Sequence, residues 1–150
     1  MQNWSTYLKI EECYHGERDN IYVILFVFLY MQLNTCCNDK FGSNTGDRKK
    51  MVECLSNESK IIDRYNAEKD DIMRNFNNER EFIKNCKNNR KIYYNTGHNT
   101  LKDFLNIIYN IRCNMFHGEK EPTIDNIKLI AWAYQSLNKV VGEWLESYSM

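Results

Sequence analysis

The sequence predicts an all-α protein: an antiparallel bundle of about four to six helices forming a single domain over residues 1–150. Three observations lead to this prediction. Apolar residues recur every three to four positions along most of the chain, which is the period of an amphipathic helix. Pro occurs once and Gly six times, so little interrupts long helices. With 150 residues, 43% of them hydrophobic, the chain is large enough to bury one core.

The charge balance and the cysteines limit the partners, the metal sites and the cellular compartment that the sequence predicts. Twenty Lys and Arg residues balance twenty Asp and Glu residues, so no global basic field attracts nucleic acid, and such binding requires a local patch. The six cysteines form no C-x-x-C pair, and none is spaced with a histidine as zinc sites require. We therefore expect no metal and no cofactor. With no secretory signal at the N-terminus, the pattern predicts a reduced cytoplasmic protein with small buried thiols.

The first predicted core element follows a short N-terminal arm or helix over residues 1–15. Ile21 to Met31 is apolar without a break, which is too long for a typical strand and too short for a membrane span of about 20 residues. We expect a fully buried helix that continues through Leu33 to about Cys37, and no membrane association. A helix without a polar face needs partners on all sides, and a homodimer interface would supply one.

The middle of the chain is predicted to be helical and polar. Residues 38–46 form the clearest loop. Asp47 to about Tyr94 carries apolar residues at steps of three, four and seven, which predicts one long amphipathic helix, or two with a break near Asn75–Asn78. Its Lys and Glu residues are interpreted as a solvated face, with a binding patch as the alternative. The Asn-rich stretches are interpreted as compositional bias.

Two further helices complete the predicted fold. After a turn at residues 95–99, Thr100 and Asp103 are expected to cap a helix over residues 100–117. A short loop with Pro122 leads into a C-terminal helix over residues 123–147. Helices joined by so short a loop are expected to pack antiparallel.

The helix over residues 100–117 carries the candidate site. Leu101, Leu105 and Ile108 form an apolar line, and Arg112 is the next member of the same series. A guanidinium on an apolar face is costly unless it is paired, although a snorkelling side chain or a structural ion pair would explain it. His117 follows at the helix end, where a cation on the helix dipole is the simplest explanation.

The segment IRCNMFHGEK resembles the signature of HEPN (higher eukaryotes and prokaryotes nucleotide-binding) domains, in which an Arg and a His separated by four to six residues close a helix. Many members are metal-independent ribonucleases with a composite site across a homodimer. The resemblance implies that Arg112 and His117 are catalytic and that the bundle is HEPN-like. Cys113 stands where the family often has a polar residue. Glu119 stands where some toxins carry a Tyr that a partner nucleotidyltransferase modifies, so that regulation does not carry over.

A ribonuclease that works by attack of the 2′-hydroxyl needs a base, an acid and a cation for the phosphate. Two His117 residues, one from each chain of a two-fold dimer, would serve as base and acid. Arg112 would bind the phosphate. Asn114 is expected to orient the His117 ring or contact RNA, and Lys120 to assist at the phosphate.

Three functions follow from these residues. The first is a metal-independent endoribonuclease of toxin or defence type, with RNA as substrate and an antitoxin as a further partner. The second is a non-catalytic dimerisation or partner-binding module, for example accessory to a nucleotidyltransferase. The third is a nucleotide binder without turnover. A nuclease requires Arg112 and His117 from both chains at an open cleft, whereas a structural role predicts Arg112 paired to a buried acid.

Overall fold

The structure, a computed structural model, describes residues 20–95, 99–116 and 124–149. Within these ranges it is an all-α bundle, which confirms the predicted fold class. Its long helices are α1 (Asn20–Phe41), α2 (Ser59–Glu79), α3 (Leu101–Phe116) and α4 (Ile124–Ser149). A π-helical turn (Lys49–Cys54) and a 3-10 turn (Leu55–Asn57) precede α2, and a small hairpin of β1 (Phe82–Lys84) and β2 (Lys91–Tyr93) separates α2 from α3. The arm predicted over residues 1–15 lies outside the described residues.

Helix α4 is central to the core. It packs most extensively against α2 and α1, and at fewer points against α3. The Trp132 ring lies 4.9 Å from the Phe76 ring of α2 and 6.0 Å from the Phe104 ring of α3, between ring centroids. The Trp132 indole N–H also donates to the carbonyl oxygen of Ile72 at 2.9 Å. Because neighbours cover α4 on more than one side, its buried residues are not confined to one narrow stripe and include Leu129 and Val140 as well as Leu137 and Val141.

The predicted cap of α3 is confirmed. The backbone N–H of Asp103 donates to Thr100 Oγ1 at 3.2 Å, and the backbone N–H of Thr100 donates to Asp103 Oδ2 at 3.2 Å. The two residues thus satisfy each other's amides in a capping box, with Asp in place of the more usual Glu. This cap fixes where the candidate catalytic helix begins.

Helix α1 is longer and less buried than predicted. It continues past Cys37 to Phe41, and the expectation that it is buried on every side is wrong within one chain. Ile21 and Phe28 are each 58% exposed and Met31 is 39% exposed, whereas Phe26 and Leu33 are fully buried. By length and composition Ile21–Phe41 is the single helix of the described residues that would suffice for a membrane span, and core helices of soluble proteins pass the same test.

The prediction of one long helix from Asp47 to about Tyr94, or of two with a break near Asn75–Asn78, is wrong. The first interruption is at Glu58, whose backbone is extended, and α2 ends at Glu79 before an extended Arg80. The π-helical turn also buries Lys50, whose ammonium contacts Asn38 and lies 3.6 Å from the Asp47 carboxylate. Lys50 therefore does not belong to a solvated face.

The hairpin replaces the last part of that predicted helix. Phe82 pairs with Tyr93, Ile83 with Ile92, and Lys84 with Lys91. Its loop is built by asparagines, because Asn89 adopts a left-handed φ of 59° that Asn tolerates well. The Asn85 side chain also accepts the N–H of Lys87 at 2.8 Å. At this loop the Asn-rich composition has a structural role, contrary to our interpretation of it as bias.

Candidate functional site

Arg112 lies near the C-terminal end of α3 and faces α1. Its guanidinium carbon is 5.3 Å from the centroid of the Tyr30 ring, in a cation–π arrangement. Arg112 is half-buried and Tyr30 is buried. Position 112 continues the apolar series of α3, and the aromatic face of Tyr30 lets the guanidinium lie there. The structure thus gives Arg112 an aromatic neighbour that sequence reasoning did not identify.

The Tyr30 hydroxyl belongs to the same site. It is buried and has no hydrogen-bond partner among the described residues. Burial raises the pKa of Tyr30, and the nearby Arg112 charge opposes this rise only in part. Tyr30 therefore remains a neutral phenol, buried beside the guanidinium. No sequence pattern reveals this residue, because it is 82 positions from Arg112.

Described groups on α3 and just before the π-helical turn contribute to the electrostatics around Arg112. Burial and a hydrogen bond with the Cys113 thiol raise the pKa of Tyr109 to about 12. The Asp47 carboxylate is close enough to contribute to the raised pKa values of both Tyr30 and Tyr109. Among the described residues, those near Arg112 include the aromatic rings of Tyr30 and Tyr109 and the Asp47 carboxylate, which also pairs with Lys50.

Asn114 faces a different neighbour. Its side-chain N–H₂ donates to the carbonyl oxygen of Lys84 in β1 at 2.8 Å. One turn earlier, Asn110 Oδ1 accepts the backbone N–H of Cys86 at 3.0 Å. These two asparagines fasten the hairpin to α3. At 100° per residue, positions 110 and 114 lie roughly 160° around the helix from Arg112, so the structure does not place Asn114 beside Arg112 within one chain.

Two thiols join the hairpin to α3 at the same place. The Cys86 thiol forms a hydrogen bond with Cys113, and burial followed by this neighbour raises the pKa of Cys86. The described cysteines, which include both, are free. A raised pKa lowers the thiolate fraction on which cysteine nucleophilicity depends. We therefore assign this pair to packing between the hairpin and α3.

The two other predicted site residues, His117 and Lys120, lie outside the described residues, so their roles stay predictions. His117 directly follows Phe116, the last residue of α3. The substrate role of Asn114 also stays a prediction, because the contact seen is to the hairpin backbone. Over the described ranges, no group of three or more His, Cys, Asp or Glu residues is arranged to hold a metal ion.

Comparison with known proteins provides no further assignment for this site. No protein-family model, curated protein or solved structure matches the chain. The resemblance to HEPN domains therefore depends on the Arg112–His117 motif and its helix alone.

Proposed function

We propose that the protein is a metal-independent endoribonuclease of HEPN type, with Arg112 and His117 as its catalytic residues. The observation that carries the proposal is the R-x4-H arrangement at the end of α3. It is supported by the half-buried Arg112, whose guanidinium is held over the ring of the buried Tyr30. A guanidinium held in this way offers a planar fork of donors that suits the oxygens of a phosphodiester.

The proposed reaction transfers protons and needs no redox partner. One His117 removes the proton of the 2′-hydroxyl, and the 2′-oxygen attacks the adjacent phosphorus. The bond from phosphorus to the 5′-oxygen breaks, and the second His117 protonates that leaving oxygen. The products are a 2′,3′-cyclic phosphate and a 5′-hydroxyl. Arg112 stabilises the negative charge on the phosphoryl oxygens.

The proposed site needs two chains, and the outer face of α1 supports a homodimer. Ile21, Phe28 and Met31 are its exposed apolar residues. No charged side chain occurs between Ile21 and Cys37, so a second copy would bury this face without desolvating an ion. A two-fold interface is self-complementary, so one exposed helix supplies both halves. We propose RNA as the substrate, a cytoplasmic location without membrane association, and an antitoxin or nucleotidyltransferase as a further partner.

Two substitutions test the catalytic assignment. His117→Ala and Arg112→Ala are each expected to reduce cleavage of RNA by about 10²-fold or more, because each removes one catalytic role. His98→Ala and Arg74→Ala are matched controls of the same residue types outside the motif. Cleavage is expected to persist in EDTA, and the product is expected to carry the cyclic phosphate. Folded His117→Ala protein that cleaves at the wild-type rate would refute the assignment.

A second function is favoured by the same exposed face of α1. If the wild-type protein cleaves none of a broad set of RNAs, the protein is better described as a partner-binding module. In that case Phe28→Ser, on the exposed face, should abolish association, whereas His117→Ala should leave it unchanged. A nuclease requires that both substitutions reduce cleavage. Pull-down and cleavage assays on the two variants therefore separate the functions.

A further inference from the structure

The outer face of the hairpin combines basic and aromatic side chains. Ile83 and Ile92 are cross-strand partners directed to the core, where Ile83 is buried. Because side chains alternate along a strand, Phe82 and Lys84 of β1 share the opposite face with Lys91 and Tyr93 of β2. The lysines are exposed, and Tyr93 is 39% exposed. The outer face thus presents two aromatic rings and two ammonium groups side by side.

Positive charge is concentrated on this hairpin. Four cations lie between Phe82 and Tyr93, with no Asp or Glu among them, in a chain whose charges otherwise balance: Lys84, Lys87, Arg90 and Lys91. All four are exposed. Over the described ranges, no carboxylate forms an ion pair with any of them. This is the local basic patch that a protein of zero net charge needs in order to bind a polyanion.

The arrangement of these cations is unfavourable for the hairpin alone. Lys84 and Lys91 are direct cross-strand partners on one face, and like charges in that position destabilise a strand pair. Sequences that break a local rule do so most often at functional sites. A bound polyanion would place phosphate charge between the two ammonium groups and relieve their repulsion.

The aromatic residues indicate which polyanion fits. The Phe82 and Tyr93 ring centroids are 5.8 Å apart, and Lys91 Nζ lies 4.5 Å from the Phe82 centroid. The ring of Tyr93 is thus held in place by a neighbour while it remains open to solvent. Exposed rings beside cations are typical of surfaces that stack unpaired bases and neutralise the backbone. An acidic peptide or an anionic membrane surface has no planar base to stack on Tyr93.

We propose that the outer face of the hairpin binds single-stranded polynucleotide, with phosphates at Lys84 and Lys91 and an unpaired base on Tyr93. The hairpin is fastened to α3 through Asn110 and Asn114, on the side of the helix away from Arg112. Binding here is therefore separate from the chemistry at Arg112. The inference that this surface guides the substrate to the catalytic residues rests on the proposed function. The inference that the surface binds single-stranded polynucleotide does not rest on it.

The test measures binding of a labelled single-stranded 2′-O-methyl RNA, which lacks the 2′-hydroxyl and cannot be cleaved by the proposed reaction. A DNA oligonucleotide of the same sequence distinguishes RNA from DNA as the source of the phosphates. We expect Lys84→Glu to weaken binding by about tenfold and to flatten the dependence of log affinity on log salt by about 0.7 per lost phosphate contact. Lys60→Glu, which makes the same charge change at an exposed position on α2, should leave affinity within about twofold.

Stability and stacking provide two further readouts. Lys84→Glu creates a Glu–Lys cross-strand pair, so its melting temperature should be unchanged or higher although binding is lost. Tyr93→Leu keeps an apolar side chain but removes the ring, and should weaken binding about 5- to 150-fold with the salt dependence unchanged.

Three results would overturn the proposal. The first is wild-type protein that binds neither oligonucleotide at low salt. The second is an equal loss of affinity in Lys60→Glu and Lys84→Glu. The third is that polyglutamate or phosphatidylserine vesicles bind and lose affinity in Lys84→Glu to the same extent as the oligonucleotides, while Tyr93→Leu binds every ligand with the wild-type affinity. Loss of cleavage in His117→Ala with binding intact would support both proposals, since the two activities are measured separately.

Discussion

Asn110 is a buried polar residue of α3 that binds the backbone of the hairpin. Although its position on α3 is among polar residues, it is only 2% exposed. Its Oδ1 accepts the backbone N–H of Cys86 at 3.0 Å, and its N–H₂ donates to the carbonyl oxygen of Asn106 at 2.8 Å. Asn110→Ala removes the partner of a backbone amide in the hairpin loop. Asn114→Ala is the matched control, because Asn114 makes a single hydrogen bond to the hairpin from an exposed position.

The two variants should differ in free energy of unfolding. A buried amide left without a partner costs about 1–3 kcal/mol, whereas a hydrogen bond that water can replace contributes about 0.5–1.5 kcal/mol. We expect a loss of about 2 kcal/mol for Asn110→Ala and less than about 1 kcal/mol for Asn114→Ala. For a domain of this size the first corresponds to a decrease in melting temperature of about 4–8 °C.

Urea denaturation measures the loss in the free energy of global unfolding. Hydrogen exchange of the Ile83 and Ile92 amides measures docking of the hairpin itself. Asn110→Ala should accelerate exchange of both amides even where the helices remain protected. It should also weaken polynucleotide binding, because the outer face is no longer held on α3. Equal stability and equal exchange for Asn110→Ala and Asn114→Ala would refute the argument that burial makes Asn110 the stronger anchor.

Three other perturbations test the core, the proposed homodimer and the candidate site. Burial raises the pKa of Tyr65 to about 12. Because the pKa in the folded state is higher than in the unfolded state, the contribution of protonated Tyr65 to the free energy of unfolding is complete below pH 10. This contribution is lost as the pH rises to about 12. Urea denaturation between pH 10 and 12 should show a smaller loss of stability for Tyr65→Phe than for wild type. An equal loss in the two proteins would exclude Tyr65 as a source of the pH dependence. Phe28→Ser should convert a homodimer to monomer in light scattering with the circular dichroism spectrum unchanged; a wild-type monomer at micromolar concentration would exclude the shared site. Arg112→Ala should cost about 0.5–2 kcal/mol in denaturation, the magnitude of a cation–π contact, whereas a cost above about 3 kcal/mol would indicate a buried structural ion pair.

The helices of this protein were largely predictable from local patterns. The apolar period of 3.6 residues placed α3 and α4 close to their observed bounds, because an amphipathic helix must bury one stripe wherever it packs. The capping box at Thr100 and Asp103 was predictable for the same reason: its hydrogen bonds join residues three positions apart.

The hairpin was missed although its sequence carries a signal. FIK and KIY flank a six-residue loop in mirrored order, so that apolar and polar residues alternate in both strands. The apolar steps of the preceding helix continue through Ile83 and obscured this alternation, because a step of seven suits a helix and does not exclude a strand. Three-residue strands are also too short for a reliable pattern of period two.

The sequence by itself determined the fold class, the helix that carries Arg112, and the motif that relates Arg112 to His117. Only the tertiary structure decided that Tyr30 lies under the guanidinium, that Asn110 is buried, and that basic and aromatic residues share one face of a hairpin. The physical reason is the range of the interactions. Helix periodicity and capping act within four residues, whereas the neighbours of Arg112 and of the hairpin are chosen by the packing of segments far apart in the chain.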